Sequence, residues 1–189
     1  WFGWPKRHPS HPLRPLRRSG NLVAVSSPAP VVPDMTPLRL LLLITIPLFA
    51  LDQLTKWATV AFIPLHHEIA IIPGFFNLVH VTNTGSAFGL MRGWFNFHVL
   101  FGSLMAVVII VLLFRKSTDH LTRLASALIL SGIFGNITDR ILHGHVIDFL
   151  DFYLGRHHWP AFNVADSAIV IAVGLFLWAS FREGKQRPA

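Results

Sequence analysis

Residues Phe162–Phe181 read FNVADSAIVIAVGLFLWASF. From Val164 on the run is mostly apolar and approaches the roughly 20 residues that a helix needs to cross the hydrocarbon core of a bilayer, though it is marginal by length. Near its start it carries one carboxylate, Asp166. A local reading makes Asn163 a helix cap and puts Asp166 in the first turn, where the positive end of the helix dipole favours an anion. A second reading starts from the cost of an ionisable group at membrane depth, commonly a few kcal/mol, which marks it as a functional candidate. The two readings are compatible.

Three further runs resemble this one in length and character: Leu38–Ile63, Phe95–Phe114 and Leu124–Leu142, with Val164–Phe181 as the fourth. Apolar residues make up 52% of the chain and charged residues 13%, a balance that excludes an ordinary soluble domain. The expected fold is therefore mainly α: a polytopic membrane protein with four transmembrane helices. Arg115, Lys116 and Arg123 lie between runs two and three, and Arg182, Lys185 and Arg187 follow run four. By the positive-inside rule both segments are cytoplasmic, and an even number of spans puts both termini there too. Residues 64–94 and 141–163 then face outward. The net charge of +7 is a topology signal, because no stripe of Lys and Arg interleaved with exposed aromatics argues for nucleic acid.

Residues 1–34 differ in kind: rich in Pro, Arg, His and Ser, without helical periodicity, they read as a disordered basic extension preceding a natural start at Met35. The run from Leu38 is too long for a cleaved leader and lacks a small-residue cleavage site. Residues 35–182 form the membrane domain and 183–189 a cytoplasmic tail. With no cysteine in the chain, disulfides, thiolate nucleophiles and Cys-based metal sites are excluded.

Polar residues in the apolar runs supply the candidate site. Asp52 and Lys56, four apart in LDQLTKW, lie on one helix face and neutralise each other, either as a packing device or beside a site. GNITDRILHGHVIDFLDF brings Asn136, Asp139, Arg140, Asp148 and Asp151 close together. Asp139 has a cation as its sequence neighbour and reads as an ionised, structural acid. Asp148, among Val, Ile, Phe and Leu, sits in an apolar setting that favours retention of a proton near neutral pH. The topology puts Asp148 and Asp166 at one depth on the outer side. Such a pair suits hydrolysis of an amide, one acid taking a proton from water while the other polarises the carbonyl. In GFFNLVHVTNTGSAFG, Phe76–Thr82 reads as a short interfacial strand, Gly85 and Gly89 permit turns, and Asn83, Thr84 and Ser86 offer hydrogen bonds.

Five blocks in this order, DQLTK at Asp52, NTGSAFG at Asn83, GNITDR at Gly135, VIDF at Val146 and FNVADS at Phe162, resemble those of the lipoprotein signal peptidases. The likeness covers about Leu38 to Phe181. It implies a bacterial plasma-membrane aspartic endopeptidase with four transmembrane helices and a small extracytoplasmic β-rich cradle. Such an enzyme cuts a prolipoprotein before a cysteine that carries diacylglycerol, and the family is a target of the antibiotic globomycin. Matched block by block, the catalytic pair is Asp148 and Asp166. Asn83, Gly85, Asn136, Arg140 and Asn163 match substrate-site positions, with Asp52 and Lys56 in support. Asp139 also matches a family acid, and the apolar flanks of Asp148 decide between the two. No cofactor and no metal are implied; the expected partners are the prolipoprotein and membrane lipid, with the chain as a monomer.

Rival readings are weaker. A Ser-Lys peptidase built on Ser86 and Lys56 needs a neutral lysine, which Asp52 one turn away opposes. A proton-translocating protein expects acids at several depths. A zinc hydrolase lacks histidines at i, i+4 on a helix.

Overall fold

The structure is a computed structural model that describes residues 35–85, 95–116 and 118–186. The readings placed on residues 1–34, Ser86, Gly89 and the last three residues lie outside the described residues. Among the described residues, four helices are long and apolar enough to span a membrane: α1 (Pro37–Phe62), α2 (Phe95–Phe114), α3 (His120–His143) and α4 (Val164–Gln186). The tail expected from residue 183 therefore begins as a continuation of α4.

Local chemistry sets the helix ends. Thr36 caps α1 and accepts from the Arg39 N–H, with Pro37 in the first turn where its missing N–H costs nothing. Leu41–Thr45 widens into a π-turn before Pro47, a residue that cannot donate to the helix ladder and crowds the preceding turn. Asp119 caps α3 through the Leu121 and Thr122 N–H groups, so this helix starts one turn before the apolar run at Leu124. It ends at Gly144, whose φ of 78° is a left-handed cap, and the chain turns directly into a strand.

The third helix is the axis of the bundle and packs against the other three. Its buried residues are largely small, among them Ala125, Ser126, Ala127, Ser131, Gly132 and Gly135, and small faces let helix backbones approach closely in a membrane. A Cβ on Gly132 would run into the Ala165 carbonyl oxygen and meet Ile169 at 2.6 Å. Gly132→Ala is therefore expected to destabilise the protein in detergent by about 1–3 kcal/mol, the usual cost of overpacking. That loss outweighs the roughly 1 kcal/mol that Ala gains in helix propensity; unfolding monitored by circular dichroism checks the sign. Exposed apolar side chains such as Leu54, Leu100, Val111, Val170 and Phe181 cover the outside of the bundle. In a bilayer they face lipid.

At one end of the bundle sits an antiparallel sheet in the order β1 (Glu68–Ile72), β2 (Phe76–Asn83), β3 (Val146–Leu154) and β4 (His157–His158). The strand read at Phe76–Thr82 is present and one residue longer. A bulge between Leu78 and Val81 shifts the register, so that Val81 lies opposite Asp148 and Asn77 opposite Asp151. The sheet is tied to α1 by the His80 imidazole, whose Nδ1 lies 2.8 Å from the Ile63 carbonyl oxygen.

Candidate active site

The start of α4 carries the first half of the site. Asn163 is fully buried; its Oδ1 accepts from the Asp166 N–H at 2.9 Å and its backbone carbonyl from the Ser167 N–H at 3.1 Å. The cap read from the sequence is therefore present. The same side chain does more, because its Nδ2 donates to Asp148 Oδ1 at 2.7 Å. One amide thus holds both acids, the first through its nitrogen and the second through its own backbone N–H.

Each carboxylate has its own further donors. Asp148 Oδ2 accepts from Asn83 Nδ2 at 3.1 Å, and Asn83 is fixed in turn by the Gly85 N–H on its Oδ1 at 3.0 Å. Asp166 Oδ1 accepts from Asn136 Nδ2 at 2.8 Å. Asn136 has its amide orientation dictated by Lys56, whose ammonium donates to Oδ1 at 3.2 Å and leaves only the NH2 to face Asp166. Arg140 donates to the Gly85 carbonyl at 2.9 Å and to the Asn136 carbonyl at 3.2 Å, which pins the end of β2 to α3.

Behind this layer lies a buried ion cluster. Lys56 Nζ is 2.9 Å from Asp52 and 2.8 Å from Asp139, all three at most 2% exposed. The sequence reading of Asp52 and Lys56 as an ion pair holds, while the cation beside Asp139 is corrected: Lys56 takes that role. Arg140, next in sequence on the helix, points elsewhere because adjacent helical residues do not face each other. Asp52 also accepts the Ala165 N–H at 2.8 Å, and so joins α1 to the first turn of α4. Gln53, which the sequence reading passed over, donates to Asp52 at 3.1 Å, to Asp139 at 3.1 Å and to the Gly135 carbonyl at 3.3 Å. Its polarity inside an apolar run was the available signal. Gly135 leaves room for this cluster, since a Cβ there would run into Asp52 Oδ2.

Asp148 and Asp166 open onto one cavity of about 1060 Å³, which Asn83, Asn136, Arg140 and Trp159 also line. Asp148 is 2% exposed. Burial, then the nearby Asp166 carboxylate, push its pKa up to about 7, against the opposing pull of the Asn83 and Asn163 amides. A buried acid that keeps its proton near neutrality beside a second carboxylate is equipped for acid–base hydrolysis. The Ser-Lys alternative loses its base, because Lys56 is committed to two carboxylates and an amide.

Fold and site together define the class: a multi-pass membrane protein with an aspartate pair at one end of a four-helix bundle. The profile of the signal peptidase (SPase) II family matches residues 44–182. The lipoprotein signal peptidase of Syntrophotalea carbinolica is 42% identical over 156 residues, 80% of this chain and 96% of that relative. That of an Azoarcus species is 45% identical over 142 residues, 73% of this chain and 80% of the relative. Among solved structures, a bacterial membrane enzyme determined by the in meso method has a TM-score of 0.73 at 26% identity, over 79% of this chain and 92% of its own. The chain belongs to the signal peptidase II family. It is accordingly a membrane protease that removes the signal peptide from prolipoproteins.

Proposed function

We propose that Asp148 and Asp166 are the catalytic pair and that the scissile bond is the one before a diacylglyceryl-modified cysteine. The observation that carries this reading is the shared cavity, in which Asn163 holds both acids while Asn83 donates to Asp148 and Asn136 to Asp166. In the resting pair Asp148 holds the proton and Asp166, in the first turn of α4, is the carboxylate. Asp166 takes a proton from water as the water oxygen bonds to the carbonyl carbon, and Asp148 gives its proton to the carbonyl oxygen. The tetrahedral diol then collapses: Asp166 protonates the amine, the C–N bond breaks, and Asp148 recovers a proton from the hydroxyl. The pair returns to its starting state. Asn83, Gly85, Asn136, Arg140 and Asn163 shape and hold the site, and Asp52, Lys56, Asp139 and Gln53 support it from behind.

The cavity also reaches Val170 and Ile171, which are 71% and 57% exposed on the lipid side of α4. That opening supports entry of an acyl chain directly from the membrane. Arg115, Lys116, Arg123 and Arg182 lie toward the end of the bundle away from the sheet, which supports cytoplasmic termini and a site on the extracytoplasmic side. We read the chain as a monomer surrounded by membrane lipid.

The test is cleavage of a modified and an unmodified prolipoprotein by the purified protein in detergent, followed across pH. We expect cleavage before the modified cysteine alone, with kcat/KM falling about tenfold per pH unit above roughly pH 7 as Asp148 loses its proton. Equal cleavage of the unmodified substrate removes the lipid requirement, and a rate that stays flat to pH 9 removes Asp148 as proton holder. The stability effect has the matching sign. Folded Asp148 binds its proton up to about 7 and the unfolded side chain only to 3.8, so this acid's contribution falls as pH rises between those values.

A further inference from the structure

Asp148 lines the cavity, and Asp151, three residues further along β3, does not. The hydrolysis leaves Asp151 unused, yet this acid is 6% exposed and sits where all four strands meet. Its Oδ2 accepts from Asn77 Nδ2 of β2 at 3.2 Å, and that amide also reaches Glu68 of β1 at 3.3 Å. Both Asp151 oxygens lie 3.0 Å from Nδ1 of His158, on β4. The His158 ring stacks on Tyr153 at 4.8 Å and 7°, and the Tyr153 hydroxyl accepts from the Gly74 N–H at 2.8 Å in the β1–β2 turn.

What this arrangement holds is the next residue. Trp159 donates its backbone N–H to the Phe152 carbonyl at 2.8 Å and, with Pro160 and Ala161, lines the cavity that contains the aspartates. The strand that leads into it has only two residues, too few to stay paired through its own ladder. A buried carboxylate, in contrast, is costly to leave short of donors, so the His158 contact is one the fold retains. We propose that Asp151 and His158 are positioning residues, a latch that fixes β4 on β3 and thereby sets Trp159 as the wall of the substrate cavity. This rests on the reading of that cavity as the place where prolipoprotein binds.

The experiment compares His158→Ala, Asp151→Ala, Trp159→Ala and the His158→Ala/Trp159→Ala pair with the full-length wild type, on a diacylglyceryl-modified prolipoprotein. The expected result is a KM raised roughly five- to tenfold in each single variant, the size of one lost hydrogen bond, with kcat within about twofold. Adding His158→Ala to Trp159→Ala raises KM no further, because the latch acts through that wall. His158→Gln, which keeps an N–H donor, recovers most of the loss. Backbone amides of residues 157–159 and 161 exchange faster in His158→Ala and in Asp151→Ala, while those of α3 and α4 do not change. An unmoved KM, additive effects in the pair, or unaltered exchange at 157–159 and 161 overturns the latch. Should Asp151→Ala fail to fold, the half-exposed His158 gives the same readouts. These measurements are made with Asp148 and Asp166 intact. A surviving activity in Asp148→Asn would therefore strike the catalytic assignment alone.

Discussion

Asp148→Asn and Asp166→Asn each reduce cleavage of a diacylglyceryl-modified prolipoprotein by at least about 10³-fold, while Asp139→Asn leaves activity that is readily measured. The first two lose a proton donor or acceptor at the reacting atoms, where general acid–base catalysis contributes about 10²–10⁴-fold. The two act as one unit, so the double variant is little worse than either single one. Asn at 148 or 166 keeps the shape and part of the amide network, and both proteins are expected to fold. Asp139 is different in kind. It is 2% exposed, accepts from Lys56, Gln53 and the Ile147 N–H, and is absent from the cavity lining. An amide there retains an acceptor for the Ile147 N–H and loses mainly charge. Single-turnover cleavage with circular dichroism on each variant decides the matter, and a dead Asp139→Asn beside a working Asp148→Asn would reverse the assignment.

The largest effect on stability is expected at Lys56. Lys56→Met preserves the apolar stem and strands Asp52 and Asp139 as buried carboxylates without their cation, a change that costs about 3–5 kcal/mol. It also takes the ammonium away from Oδ1 of Asn136 and leaves that oxygen only the Asn163 amide at 3.3 Å, so the orientation of Asn136 toward Asp166 is held less firmly. Activity should fall together with thermal stability. The triple variant that adds Asp52→Asn and Asp139→Asn removes the unpaired charge, and is expected to recover most of the melting temperature but little of the cleavage rate. If Lys56→Met melts like the wild type, the cluster does not hold the bundle together, and if the triple variant regains full activity, the orientation of Asn136 does not matter to catalysis.

The sequence by itself determined everything that depends on neighbours along the chain. Four spans are legible because hydropathy sums over consecutive residues, and the Asn163 cap and the Asp52–Lys56 pair because helical geometry brings i, i+3 and i, i+4 side chains together. The burial of Asp148 was legible from its apolar flanks. Strand β1 was not, since all five of its residues are exposed and no alternation marks it. Nor was the true partner of Asp139. Lys56 lies on another helix, and its reach to Asp139 depends on how closely α1 and α3 approach at Gly135, a spacing set by the absence of one Cβ. The link from Asp148 through Asn163 to Asn136 and Asp166 and the role of Gln53 likewise depend on how the helices and the sheet pack together. Tertiary structure alone decided these, because side chains distant in sequence meet only where the register of helices and strands brings them into hydrogen-bonding range.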